Sequence, residues 1–340
     1  MKAIRFYGNE MATIEEMAVP SPSADQALIK VAYAGICGSD IAIYRGLNKR
    51  AKYPVTPGHE FVGTIEKLPE HYGGCLVEGQ RVMVIPTMSC GTCWGCRNGL
   101  RHICDTIKFL GIQFDGGFAE YALAEIQNLR PLPDTLSFEL GVLIEPIAVA
   151  IHAVGFLKEV SKKRILVFGG GPIGLMTALI ARLEGAQVIV AEPQASRRAA
   201  AQKFGFPTID PSTADPQEIK AKYTDSIGFD AFLECAGHPS TFQFMIATAK
   251  QKSHIIIVAT YKQPPFIDIF MMSRKEMHID ISWTYFDIEC EQAIDVLKKD
   301  SELFRSLVTH VFPLEETDTA MHHFIDGGDT LKVSIKVEQV

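Results

Sequence analysis

Two groups of metal-ligating residue types stand out in the 340-residue chain. Cys90, Cys93, Cys96 and Cys104 follow C-x2-C-x2-C-x7-C spacing in the loop SCGTCWGCRNGLRHIC. Four thiolates can close a tetrahedral Zn²⁺ shell with no open position, so this set points to a structural centre. An iron-sulfur cluster is the main rival, since spaced cysteines also ligate iron, although the Cys-Pro ending is missing. Four unrelated free thiols are the remaining alternative. Upstream, GICGSD carries Cys37, Ser39 and Asp40, and PGHE carries His59 and Glu60. One thiolate, one imidazole and one carboxylate can hold Zn²⁺ while leaving a position for water or substrate, the requirement of a catalytic centre. A lone Cys or His is more often simply packed. Cys75, Cys235 and Cys290 read as ordinary core or loop residues.

A third motif follows the apolar run ILVF. Gly169, Gly171 and Gly174 have G-x-G-x-x-G spacing, and Pro172 and Ile173 open a helix whose apolar face continues through Met176, Leu179, Ile180 and Leu183. The first glycine allows a tight turn, the second lets backbone approach a pyrophosphate, and the third lets helix pack on strand. The helix N-terminus adds amide donors and a positive dipole end. The next strand, QVIVAE, ends at Glu192, where a carboxylate can bind the adenosine ribose 2′-hydroxyl and would repel a 2′-phosphate. That favours NAD over NADP. Arg197 and Arg198 pull the other way, because an arginine near the ribose can accommodate the phosphate of NADP; a solvated helix face is the alternative for both.

These residues need elements to position them. Before about residue 150, short segments such as ALIKVAYAG, FVGTIEKL and QRVMVIP run between Gly, Pro and Asp turns, the pattern of an irregular β-rich domain. From about residue 163, RILVFG, QVIVAE, DAFLECAG and SHIIIVAT alternate with helical stretches, the sequence form of a parallel sheet built from βαβ units. After residue 281 come one amphipathic helix, EQAIDVLKK, and a closing strand, LKVSIKV. The expected class is α/β: a β-rich catalytic domain over residues 1–150, a doubly wound Rossmann domain over 151–281, and a return to the first domain over 282–340.

Composition fits this organisation. Hydrophobic residues make up 47% of the chain, enough for two cores, and a net charge of -7 without a basic cluster argues against a nucleic-acid partner. The opening MKAIRFYGNEMATIEE lacks the apolar core of a signal peptide, and no stretch reads as the roughly 18 to 20 apolar residues of a membrane span. A cytoplasmic protein without a membrane partner is therefore expected, where clustered cysteines serve metals more often than disulfides.

GICGSD, PGHE, the four-cysteine loop, DGGFAEY, IEPIAVAIHA, VFGGGPIGL, ECAG and THVFPLEE together resemble, in that order, the zinc-dependent medium-chain alcohol, polyol and threonine dehydrogenases. The resemblance covers nearly the whole chain, and the first domain is then GroES-like. It lies nearest the sorbitol, galactitol-phosphate and sugar-acid branch. It implies that Cys37 and His59 ligate catalytic zinc, with Glu60 a direct or water-mediated ligand and Glu145 a further close carboxylate. It implies that Asp40 bonds a ligating histidine, that Ser39 takes the alcohol proton, and that Ile173, Glu192 and Arg197 contact NAD. Two zinc ions per chain and a homodimer or homotetramer follow on the same ground. Ala42 stands where alcohol dehydrogenases often carry a proton-relay histidine, so the relay must differ. The expected substrate is a sugar acid or polyol first, a sugar-alcohol phosphate second, and threonine or a simple alcohol third. Arg45, Lys49, Arg50 and Lys52 could meet an anionic group, although a solvated loop is the more ordinary reading. A non-catalytic zinc- and nucleotide-binding protein of the same fold is the alternative class.

Overall fold

The computed structural model describes residues 1–328 and 330–338; residues 329, 339 and 340, at the end of the expected return segment, lie outside the described residues. The chain divides into two compact units, Met1–Glu145 with Phe286–Val340, and Pro146–Tyr285.

The first unit opens with β1 (Lys2–Gly8), β2 (Met11–Glu16), β3 (Gln26–Gly35), α1 (Gly38–Tyr44), β4 (Glu60–Lys67) and β5 (Arg81–Val84). It continues through β6 (Thr87–Met88), α2 (Trp94–Arg97), β7 (Lys108–Phe109), β8 (Tyr121–Glu125), β9 (Leu129–Pro131) and α3 (Phe138–Gly141). Helix α4 (Ile144–Gly155) carries the chain into the second unit. There β10 (Arg164–Phe168), α5 (Pro172–Leu183), β11 (Gln187–Ala191), α6 (Ala195–Lys203), β12 (Thr208–Ile209) and α7 (Pro216–Thr224) are followed by β13 (Phe229–Glu234), α8 (Thr241–Thr248), β14 (Ala249–Ile257), α9 (Ile269–Arg274) and β15 (His278–Ile281). The return segment holds α10 (Asp287–Arg305), β16 (Val308–Pro313), α11 (Thr317–Asp326) and β17 (Lys332–Lys336).

The sheet of the first unit runs β16-β17-β3-β4-β5-β9, with β8 also paired to β3. Its long strand β3 alternates between neighbours and buries Ile29, Val31 and Ala34 against Phe6, Phe61 and Phe118. The closing strand β17 pairs antiparallel with β3, Ser334 opposite Gly35, so the C-terminal residues complete a sheet begun by the N-terminal ones.

The second unit is a six-stranded parallel sheet in the order β12-β11-β10-β13-β14-β15. Its central strands are buried on both faces, as their unbroken apolar runs require: Ile165, Leu166, Val167 and Phe168 of β10 have at most 1% exposure. This is the doubly wound α/β arrangement, with its reversal of strand order between β10 and β13.

Two sequence expectations need correction. The return segment contains two helices and two strands, because α11 and β16 join the expected α10 and β17. The chain THVFP ends in a proline and lies half exposed beside β17, so neither length nor alternation marked it as a strand. The stretch Phe138–Gly155 also has the length and mean hydropathy of a bilayer-crossing helix, contrary to the reading that none exists. It is broken into α3 and α4 and is 67% buried within the fold, where core helices have that composition.

Where α5 crosses β10, a Cβ on Gly174 would strike the carbonyl oxygen of Gly169. Gly174→Ala is therefore expected to destabilise the second unit by about 1–3 kcal/mol through overpacking. Calorimetric unfolding would show an earlier transition; an unchanged profile would mean that the helix shifts without cost.

Candidate active site

Strand pairing builds the first cluster. Gly35, at the end of β3, lies opposite Glu60, at the start of β4, so the chain leaving one strand and the chain entering the other bring Cys37 and His59 together. One sulfur of Cys37, one ring nitrogen of His59 and one oxygen of Glu60 all lie within 4.8 Å of one another. Asp40 is fully buried and fixes this corner twice. Its Oδ2 accepts a hydrogen bond from Cys37 N at 2.8 Å, closing the first turn of α1, and its Oδ1 lies 3.6 Å from His59 Nδ1.

Charge balance comes from the return segment. The Lys332 ammonium is buried on β17, donates to Glu60 Oε2, and donates to the Ile36 carbonyl at 3.0 Å. Burial alone would lower its pKa, but Glu60, Cys37 and, at longer range, Glu145 hold it charged and raise the pKa above the usual lysine value. Burial likewise opposes a charge on His59, yet Asp40 and Cys37 outweigh it and raise the pKa of the ring well above its ordinary value. The potential that retains a proton there is the potential a divalent cation would experience. A thiolate, an imidazole and a carboxylate are the three-ligand set that fits zinc with an open coordination position.

Ser39 follows Cys37 in α1, and its Oγ is buried without a hydrogen-bond partner among the described residues. Such a hydroxyl costs free energy until a partner arrives. Glu145 is partly buried at the first turn of α4, where its charge acts on Lys332 and on the buried thiol of Cys290.

The four cysteines form a second cluster, each offering a sulfur within 4.8 Å of the others. Backbone amides point at these sulfurs: Cys93 N at Cys90 Sγ, Cys90 N at Cys104 Sγ and Cys96 N at Cys93 Sγ, at 3.3, 3.3 and 3.5 Å. Hydrogen bonds led by the Thr92 amide and hydroxyl pull the Cys90 thiol down to about 5. Amide donors that stabilise negative sulfur are what a thiolate metal centre needs, and all four cysteines are free. This lobe is anchored through Arg101, whose guanidinium shares the Asp287 carboxylate of α10 with Arg130, at 3.3 and 3.1 Å, while the His102 ring packs on Phe286 with centroids 4.1 Å apart.

In the second unit, Gly171 caps α5 and Pro172 occupies its first turn, with Ile173 partly exposed beside it. Gly169 has φ of 103°, the left-handed turn that the motif requires. Glu192 follows β11 and is buried; its Oε2 accepts from Gly170 N at 2.7 Å and its Oε1 from Gln194 N at 2.9 Å. The two arginines separate. Arg198 is committed to the Glu192 and Pro193 carbonyls and to Asp210. Arg197 has no hydrogen bond or ion pair among the described residues, and its Nη1 lies 4.0 Å from where a Cβ on Gly171 would be.

Comparison with known proteins agrees with this geometry. Residues 23–134 match the alcohol dehydrogenase GroES-like domain, and residues 172–299 match the zinc-binding dehydrogenase domain. A 2-dehydro-3-deoxy-L-galactonate 5-dehydrogenase from Pseudoalteromonas atlantica is 32% identical, with 96% of each chain aligned. The chain belongs to the zinc-dependent medium-chain alcohol and polyol dehydrogenases. A sorbitol dehydrogenase from Halalkalibacterium halodurans is 33% identical over 96% of each chain. An Escherichia coli alcohol dehydrogenase solved in complex with NADH superposes with a TM-score of 0.92, 31% identity and 99% coverage of both chains.

Lys332 is the residue of this dehydrogenase that sequence reasoning missed. The sequence offered only a weak signal, a lysine opening the closing strand KVSIK; in the structure that position has 2% exposure. Lys332→Met in metal-free protein leaves the Glu60 carboxylate buried and uncompensated, and should destabilise the first unit by about 3–5 kcal/mol. Adding Glu60→Gln should restore most of that loss in a double-mutant cycle by denaturant unfolding; additive losses would mean that the two residues act independently.

Proposed function

We propose that this dehydrogenase transfers hydride between a secondary alcohol of a sugar acid or polyol and NAD. The observation that carries this reading is the Cys37, His59 and Glu60 cluster with the unpartnered Ser39 hydroxyl beside it in α1. Zinc held by Cys37, His59 and Glu60 would supply Lewis acidity toward an alcohol or ketone oxygen, and NAD would supply the hydride acceptor. Cys90, Cys93, Cys96 and Cys104 would hold a structural zinc.

Ser39 Oγ receives the proton of the substrate hydroxyl, and its lack of any other partner leaves it available for that bond. Asp40 orients the His59 ring, which keeps the donor nitrogen aimed at the cluster. Lys332 anchors Glu60 through Oε2. Because Ala42 cannot relay a proton, Glu60 and Glu145 provide the acidic route by which it leaves through water. Gly169, Gly171, Pro172, Ile173 and Gly174 bind the pyrophosphate region. The buried Glu192 carboxylate receives the ribose hydroxyls and disfavours a 2′-phosphate, with Arg197 against the adenosine end.

Preference for a sugar acid rests on the cationic segment after α1. Arg45 pairs with Glu10 at 3.0 Å, and Arg50 bonds the Ile107 carbonyl and covers the Phe109 ring. Lys49 and Lys52 are exposed without side-chain partners among the described residues, so a substrate carboxylate could meet them. Self-association is supported by the second unit: β15 is an open sheet edge, with Ile281 exposed on it and Phe266, Ile269 and Phe270 exposed at α9. An oligomer with a small-molecule substrate is the proposed working form.

Turnover should be followed by NADH absorbance with polyols, aldonic acids, sugar-alcohol phosphates and threonine, using native protein and Cys37→Ser. Activity on sugar acids or polyols is expected, with at least about a hundredfold loss in the variant and zinc falling from two ions per chain to one. Selective turnover of another alcohol class would replace the substrate assignment, and NAD binding without any turnover would overturn the enzymatic reading.

A further inference from the structure

The ECAG segment has no role in the mechanism above, yet its first residue is unusual. Glu234 ends β13 with no solvent exposure. Its Oε1 accepts hydrogen bonds from Ala236 N and Gly237 N at 3.1 and 3.0 Å, and its Oε2 accepts from Gly237 N at 3.2 Å. Nearby, the Thr241 hydroxyl donates to the His238 carbonyl at 2.9 Å and lies 3.2 Å from the Tyr261 hydroxyl, which links the two loops. The Glu234 carbonyl receives Val258 N and Ala259 N at 2.9 and 3.0 Å. The carboxylate thus fixes the backbone of the loop after β13, while the main chain of the same residue bonds the loop after β14.

The fit between these loops is close. Gly237 has φ of 64°, and a Cβ there would lie 2.8 Å from the Thr260 carbonyl oxygen. On the other side, a Cβ on Gly169 would lie 3.2 Å from the Cys235 carbonyl group, and Cys235 N donates to Phe168 O at 2.9 Å. The glycine loop after β10, the loop after β13 and the loop after β14 are therefore interlocked at the carboxyl edge of adjacent strands. Burying an acid is costly, and desolvation pushes the Glu234 pKa up against its hydrogen bonds. An apolar residue would fill the same volume without that cost, so the carboxylate is retained for what it holds in place.

In a sheet of this order, a dinucleotide lies across the reversal between β10 and β13. Glu192, after β11, places the adenosine half on one side; the nicotinamide half then lies over the loops after β13 and β14. We propose that Glu234 is a positioning residue for the nicotinamide half of NAD, its carboxylate holding the backbone of residues 236–237 in the conformation that packs against Thr260. This rests on the dinucleotide reading above and adds a division of labour between the two halves of the site.

The test is to titrate ADP and NAD separately by calorimetry into the native protein and Glu234→Ala. ADP, which reaches only the adenosine half, should bind the variant within about twofold of native, whereas the Kd for NAD should rise about tenfold and kcat should fall. Glu234→Gln keeps an acceptor for the two amides and should recover most of the NAD affinity. If Glu234→Ala does not fold, Gly237→Ala separates the same loops by steric contact and should produce the same split. Equal weakening of ADP and NAD, or no change in either, would overturn the positioning role. Failure of native protein to bind either ligand would instead overturn the dinucleotide reading itself.

Discussion

Five ionisable side chains, Cys37, Asp40, His59, Glu60 and Lys332, share one largely buried corner of the first unit. The charges of Asp40, Glu60 and Lys332 could not be buried singly without a cost of several kcal/mol, and each is tolerated because the others are present. That mutual dependence sets the surrounding structure. The register that places Gly35 opposite Glu60 must hold, α1 must start at Gly38, and β17 must return from the far end of the chain to supply the only cation of the five that is charged at every relevant pH. Hydrophobic packing fills the sheet around this corner, but the charges determine which strands must adjoin.

The second unit follows a different constraint. The central runs 165–168 of β10 and 188–191 of β11 are apolar and buried, and polar groups gather past the carboxyl ends of the strands: Glu192 after β11, Glu234 at the end of β13, and the glycine loop after β10. The carboxylates there are occupied by backbone amides. These bonds fix the loops from within the chain itself, so its own main chain shapes the surface at the strand ends.

Much of this was legible in the sequence because it is written in local spacing. The four-cysteine loop, G-x-G-x-x-G and the apolar runs of β10, β11, β13 and β14 each depend on neighbours a few residues away, and the family resemblance joined them into one reading. What was not legible depends on long-range pairing. Lys332 meets Glu60 only because β17 joins β3, and nothing near LKVSIKV reveals that partner. The arginines after β11 illustrate the same limit: Arg197 and Arg198 are adjacent and chemically equivalent in sequence, yet one is spent on carbonyls and the other is unpartnered. The edge strand β16 escaped because its burial comes from the sheet it joins, whereas helix α11 is amphipathic in its own right, with Ala320 and Met321 buried, and was legible in principle.

The split of the first unit around residues 146–285 has a consequence for synthesis on the ribosome. The nucleotide-type unit is contiguous, so all of its strands exist before the segment carrying β17 is translated. Cys37, His59 and Glu60 are made early but lack their countercharge until Lys332 emerges. A nascent chain thus carries a completed parallel sheet beside an unfinished acidic corner, and the metal-type centre is among the last features to reach its final charge balance. Translation order therefore delays charge balance at the chemically reactive corner until β17 is made.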